Sequence, residues 1–534
     1  MKKILLKISL VLLILMVLLV LMTKFYIEPW LGKEIKTQLR AGYDYTIDIK
    51  IVNIDIIRSE LDLIGVRIYS NTKYQGYSGE IGTIKFTGIR IIKAVIKHDL
   101  YVDEVIVSKS SINGKMPFPE RLLSPVVSPL KISIGGVLFD QFNLKMENDS
   151  TGQNYSVTEG MLRIQGLEVS KMDTLYPGSI TLFDFKAGEA NIVSSDIMYS
   201  WLIKGINYSG TLKTLVIDSL FLKPKYKDYD FTSRFKFQRS CIEAVFSDIA
   251  FHDFYADSYF SPMVLSSSYI EIGEMNMKVF RDKRKELRHE KKPAFQEILY
   301  KIPTVLRIDS ITLAKGGITY KVHAEDSKAP GMIVINAVTA RLLNVTNDTL
   351  FKKKNSSLEF KADARLMGKG GLSILLKSKL FDKNNTFSVN GSLSDLDLSE
   401  LNPILENNAD IYATGKLDAM NFSFVADNVK ARGRMTMLYH GLVITVKDKR
   451  SDDTLSVKAR LFSYFANRRI LDSNPLKGEE ARVGTIYYER DPERFLFHYC
   501  FRSILTGISS TLSKDEKNSK SIVQTGHTGF NSQH

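Results

Sequence analysis

Eight histidines, at 98, 252, 289, 323, 440, 498, 527 and 534, are the first residues to test for chemistry in this chain. None stands four residues from another, so no helix can present a His-x-x-x-His pair to a metal ion. Cys241 and Cys500, the only cysteines, are too few for a zinc site or a disulfide framework; they are either one long-range bridge or two buried thiols. The densest metal-capable group is His252 with Asp253 and Asp257. It sits among Phe251, Phe254, Tyr255, Tyr259 and Phe260, which reads as a packed aromatic loop. No Gly-x-Ser-x-Gly elbow, Gly-x-x-x-x-Gly-Lys phosphate loop or dinucleotide fingerprint occurs. Gly368-Lys-Gly-Gly371 breaks those patterns and predicts a hairpin turn. Carboxylates paired only by folding are invisible at this level. The expectation is a non-catalytic protein with no cofactor and no metal.

What the sequence does place is a membrane anchor. Lys2, Lys3 and Lys7 precede an apolar run, Ile8–Met22, broken only by Ser9. With Ile4–Leu6 it supplies about the 20 residues that cross a bilayer's hydrocarbon core. Ile8, Leu12, Leu15 and Leu19 are the anchor residues singled out within it. A cleaved signal peptide would carry a shorter apolar core and a small-x-small site, whereas Leu19–Ile27 offers only bulky side chains. Lysines before the run, with only Lys24 just after it, orient the N-terminus to the cytoplasm. No later run is long enough to span again, so the reading is single-pass, with the bulk of the chain across the membrane.

The 534 residues are 44% hydrophobic and 25% charged, so the bulk of the chain folds rather than staying disordered. The formal charge is +14, but the lysines are spread along strand-like segments. On an exported chain that favours a solvated face or anionic lipid, and no nucleic-acid partner is expected.

After the anchor (1–24), Pro29 starts a short juxtamembrane helix, with Leu31, Ile35 and Leu39 on one face and Gly42 behind it (25–42). Phe25, Tyr26 and Trp30 suit the membrane interface. From Tyr43 the period becomes two. Tyr45, Ile47, Ile49 and Ile51 alternate with polar residues, the phase slips past Val52, and Ile54 and Ile56 carry it on. The same alternation returns in Leu358–Leu366, Phe387–Leu393 and Leu442–Val446, and predicts strands with one apolar face. Asn113-Gly114, Gly135-Gly136, Gly316-Gly317 and Asn390-Gly391 read as turns between them.

The chain is therefore expected to be mainly β and antiparallel. A degenerate unit recurs in Val102–Ile112, Val216–Leu222 and Leu306–Leu313, which suggests stacking along an axis. A basic loop and short helix (281–300) join an N-terminal half (43–280) to a C-terminal half (301–490). That loop either meets anionic headgroups or is a solvated linker. Residues 491–511 form an amphipathic helix, with Leu496, Tyr499, Cys500, Ser503, Ile504, Gly507 and Ile508 on one face. It either docks on a membrane or an envelope partner protein, or caps the sheet. The tail (512–534) is polar and predicted to be disordered.

A sheet apolar on one face must cover it with another layer or a ligand. Roughly 25–30 strands at about 4.8 Å spacing would give a trough about 120–145 Å long. The anchor, the helix Pro29–Ala41, the strands Tyr45–Ile56 and the repeated Ile-Asp-Ser units together resemble the AsmA-like proteins of diderm bacterial envelopes. The C-terminal stretch Leu401–Ile404, Ile411–Leu417, Ala431–Met437 and Leu442–Val446 is similar to that family's closing module.

The resemblance implies an inner-membrane-anchored periplasmic protein whose long curled antiparallel sheet forms an apolar groove for phospholipid or another acyl-chain lipid. The family brings no catalytic residues. This chain is short for the family and continues past the closing module with Arg494–Ser510. The groove candidates are Ile47, Ile49, Leu358, Phe360, Phe422, Phe424, Leu442 and Ile444. The alternatives are a membrane-tethered scaffold for outer-membrane protein assembly and an envelope hydrolase with a polar pocket.

Overall fold

The computed structural model describes residues 13–40, 45–70, 77–90, 99–116, 131–169, 182–257, 264–351, 357–446 and 470–514. Ile8, Leu12, most of the polar tail and the stretch 447–469 lie outside them. The described chain is mainly β, with all 20 strands in one hydrogen-bonded sheet and a few short helices. It divides into two compact units, Met1–Leu220 and Phe221–His534. The segment 281–300 therefore lies inside the second unit.

The first unit opens with one unbroken helix, Leu13–Thr37, apolar and long enough to cross a membrane. Its single π turn, Thr23–Ile27, leads directly into α1 (Glu28–Arg40). The expected anchor and juxtamembrane helix are thus one helix rather than two. Pro29 does not interrupt it, because the missing N–H costs little beside a π turn whose bonding is already shifted.

Strands β1 (Tyr45–Asp55), β2 (Glu60–Ser70), β3 (Ser78–Thr87) and β4 (Asp99–Met116) pair antiparallel in chain order. Next come β5 (Lys131–Asn148), β6 (Asn154–Val169), β7 (Leu182–Val193), β8 (Tyr199–Ser209) and β9 (Thr214–Pro224). From β5 to β8 neighbours are again antiparallel. The β4–β5 pair is parallel, 18 residues on each strand.

Strands β2, β4, β5, β6 and β8 each carry a residue at positive φ at one level of the sheet. Lys50 faces Gly65 (φ +65°), Gly82 lies against Lys109 (φ +54°), Gln141 (φ +54°) is level with Lys109, and Glu159 (φ +53°) sits against Gly188, beside Gly205 (φ +63°). A residue in the left-handed region re-aims the chain by one position, as a β-bulge does. Inward residues consequently step by three across the line: Ile49 to Val52, Leu63 to Val66, Val107 to Ser110. The phase slip therefore falls two residues earlier than the alternation suggested. Ile51 is 44% exposed and Val52 takes its place inside.

The second unit holds α2 (Asp228–Ser233), β10 (Ser240–His252), β11 (Tyr255–Asp257), β12 (Val264–Asp282) and α3 (Phe295–Tyr300). Then follow β13 (Val305–His323), β14 (Gly331–Thr346), β15 (Ser357–Leu366), β16 (Gly370–Lys379) and β17 (Phe387–Asp397). The unit ends with α4 (Asn402–Ala409), β18 (Ile411–Ala426), β19 (Lys430–Val446), β20 (Val483–Glu489) and α5 (Leu496–Leu512). β12 and β13 are parallel; the expected basic loop and short helix form the crossover between them. From β13 to β20 every neighbouring pair is antiparallel.

The four glycine pairs read as turns are all inside strands: β4, β5, β13 and β17. At two of them the reason is steric. A Cβ on Gly114 would lie 2.2 Å from the Tyr77 ring, and one on Gly391 would lie 2.2 Å from Phe422. Glycine here makes room for an aromatic ring on the next segment instead of bending the chain. The Gly368 turn, by contrast, does link β15 to β16, with Met367 and Gly368 at positive φ.

Candidate functional site

Several polar groups that could do chemistry have structural partners. His252 lies 3.6 Å from Glu271 and stacks on Tyr269, while Asp253 accepts from Ser268 at 2.6 Å. Buried His323 is held at both nitrogens, by the Tyr229 hydroxyl at 2.7 Å and the Ser327 carbonyl at 2.9 Å. Since a carbonyl only accepts, Nε2 donates to Ser327. Cys241 and Cys500 are both free thiols. Among the described residues no group of three His, Cys, Asp or Glu side chains is arranged to hold a metal ion.

The apolar candidates fall into separate places. Ile49 is fully buried in the first unit's core, with Ile47 packed against it and Leu63, Val66, Ile81, Val105, Val107 and Val137 around them. Leu358, 1% exposed, starts β15 level with Ser378, whose hydroxyl accepts a hydrogen bond from buried Gln296 of α3. Phe360 beside it is half-buried. Phe422, Phe424 and Leu442 belong to the second unit's core, and Ile444 packs at its edge.

That second core has a lid of its own. Tyr499, Leu496, Ile504 and Ile508 of α5 cover it, so the amphipathic helix caps the sheet. Ser503, Gly507 and Thr511 follow each other at four-residue intervals on the sheet-facing side and are all buried. Small side chains let the helix axis come close to β20, where a Cβ on Gly484 would lie 2.7 Å from the Gly507 carbonyl. The Ser503 and Thr511 hydroxyls donate back to Tyr499 and Gly507 carbonyls, so neither is buried unpaired.

The first unit differs. Its helix α1 packs along β1: Glu28 accepts from the Ile56 amide at 3.0 Å, and Lys36 donates to the Lys50 carbonyl at 3.1 Å. The register carries an apolar stripe across the rest of the sheet. Val107 is level with Phe139, Phe139 with Leu162, Leu162 with Phe185, and Phe185 with Tyr208. On the other side of the break line, Leu144, Val157, Ala190 and Ile203 are likewise level. Val107 is 7% exposed, the other eight residues of the stripe are half-buried, and Phe183 and Trp201 are 38% exposed, while Ala187 of β7 is 3%. Sequence reasoning passed over β5–β8, because the one-residue shift at Gln141 and Glu159 hides the alternation there.

On the N-terminal helix, Leu15 and Leu19 are 56% and 65% exposed, as are Phe25, Tyr26 and Trp30 at 63–76%. Comparison with protein-family models and with curated proteins finds no match to this chain.

Proposed function

We propose that this protein is an inner-membrane-anchored, periplasmic, non-catalytic lipid-shielding protein of the AsmA-like kind, with its N-terminus in the cytoplasm. In this reading the apolar side of β4–β8 covers the acyl chains of a phospholipid or similar lipid. The observation that carries it is the half-burial of that stripe from β5 to β8. A continuous apolar face packs on itself near β1–β4 and is left half-open at β7–β8, with no described helix over it in that unit. Large open apolar faces mark a binding surface. The exposed leucines and aromatics of Leu13–Thr37 support the anchor, since they suit hydrocarbon and its interface.

The second unit supports a different role for its candidates. Phe422, Phe424 and Leu442 lie under α5 and serve that unit's stability, so lipid contact is assigned to the β5–β8 positions instead.

The test is photo-crosslinking in the full chain, held in the membrane by its anchor. A photoreactive residue replaces Phe185, Leu144 or Ile203 on the stripe, or Lys145, Lys186 or Lys204 on the opposite face. Lipid adducts at the stripe positions and several-fold fewer at the lysines are the expected result. Equal labelling on both faces, or none, would sink the reading and return the scaffold alternative.

A further inference from the structure

The basic segment after β12 and the entry to α5, far apart in sequence, meet in the second unit. Lys292 donates its amide to the Pro492 carbonyl at 2.8 Å, Arg490 reaches the Lys292 carbonyl at 3.1 Å, and His289 pairs with Glu493 at 2.8 Å. This brings Arg281 and Lys283 into the same neighbourhood as Arg494, His498 and Arg502. Arg502 stands 5.7 Å from the Tyr488 ring, and His498 meets the same ring edge-on at 6.5 Å.

These cations have too few counter-ions. Asp491 is the one carboxylate acting on His498, and its oxygen is 3.6 Å from Arg494 Nε. Burial lowers the proton affinity of Lys283, and Arg281, Arg494 and Arg502 lower it further. Arg281 is likewise lowered by burial, with Tyr320 opposing and Arg494 adding to the shift. Three buried nitrogens, Arg281 Nε, Arg494 Nε and His498 Nδ1, have no hydrogen-bond partner. Guanidinium donors left unpaired in such surroundings are unfavourable, and an oxyanion is the acceptor that satisfies them.

A second observation stands beside the charge. On the outward side of the same helix, Phe497 and Phe501 are 77% and 46% exposed, one turn apart, with Phe495 at 48% just before them. An exposed aromatic edge next to clustered guanidinium groups is the composition of an interfacial membrane contact.

We propose that this end of α5 is a contact site for an anionic phospholipid surface. Headgroup phosphate is held by Arg281, Lys283, Arg494 and Arg502, while Phe497 and Phe501 enter the boundary between headgroups and acyl chains. The inference rests on the second unit alone and is independent of acyl-chain shielding by β4–β8.

The experiment uses the full chain in phosphatidylcholine nanodiscs, with Phe497→Trp as reporter and the parent, carrying Trp30 and Trp201, as background. Vesicles with brominated acyl chains are added, made of phosphatidylglycerol or of phosphatidylcholine. Phosphatidylglycerol vesicles are expected to quench the added tryptophan several-fold more than phosphatidylcholine vesicles. Arg494→Gln with Arg502→Gln should abolish that difference at an unchanged melting temperature. If that pair melts early, Lys283→Gln replaces it and should reduce the difference. Absence of quenching by phosphatidylglycerol, or quenching that survives the charge substitutions, overturns the proposal. So does inorganic phosphate that raises the His498 titration while vesicles never quench, since the cluster then serves a free anion.

Discussion

The Phe422 ring of β18 lies across Gly391 of β17, in the space a side chain at that position would need. A Cβ there would be 2.2 Å from the ring, and the ring cannot swing away because it is 5% exposed and packed beside Phe424. Gly391→Ala is therefore expected to destabilise the second unit by about 1–3 kcal/mol through overpacking. Adding Phe422→Leu should recover part of that loss. Urea denaturation of the four proteins of the cycle measures it, and simple additivity would refute the contact.

The break line in the first unit makes a conformational prediction. Gln141 sits at φ +54° in mid-strand. Glycine adopts that region freely, whereas a β-branched residue does so only under strain. Gln141→Gly should leave the melting temperature unchanged or raise it. Gln141→Val should lower stability by roughly 1–2 kcal/mol. The reverse order would mean that the position does not need the left-handed geometry.

Seating of α5 depends on Gly484. A Cβ there would be 2.3 Å from Thr511 Oγ1 and 2.7 Å from a backbone carbonyl that cannot retreat alone. Gly484→Val is expected to lift the helix from β20. Cys500 reports this directly, because burial pushes its thiol up to about 12 in the seated state. Maleimide labelling of Cys500 at neutral pH should be slow in the parent and at least tenfold faster in the variant. Equal rates would mean that the helix tolerates the side chain.

His498 gives the pH dependence. Burial first, then Arg494 and Arg502, hold its pKa down to about 4, against an unfolded value near 6.5. The folded state thus prefers the neutral ring. This contribution is complete above pH 6.5 and is lost as pH falls from 6.5 through 4. The half-buried ring limits it to roughly 1–2 kcal/mol. The paired carboxylates Asp282 and Asp382 are held below their ordinary value of 3.8, so their own losses come at lower pH. His498→Gln should flatten the melting curve between pH 4 and 6.5, and an unchanged slope would place the titration elsewhere.

Buried Asn474 closes the account of the second core. Its amide donates to the Met437 and Arg482 carbonyls at 2.6 and 3.2 Å and accepts from the Arg482 amide at 2.8 Å. Asn474→Leu leaves these groups unpaired inside the protein and should cost about 2–4 kcal/mol. Thermal melting measures it, and a loss under about 0.5 kcal/mol would mean that water replaces the amide.

The sequence by itself determined the local quantities: an apolar helix at the N-terminus, strands wherever polarity alternates with period two, and an amphipathic helix within 491–511. These follow from burial of one face of one element, which the order of residues records directly. The tertiary structure decided everything that depends on a neighbour. It turned Asn390-Gly391 from a turn into a strand position, because the reason for the glycine is Phe422 some thirty residues away. It made β4–β5 and β12–β13 parallel, which no period reveals. It gave Phe422 and Phe424 to a covered core and left Phe183 and Trp201 half-open, since alternation says which residues share a face but not what lies over it. It also brought Arg281 and Lys283 beside Arg494 and Arg502, where like charges separated by more than 200 residues of chain come to share one site.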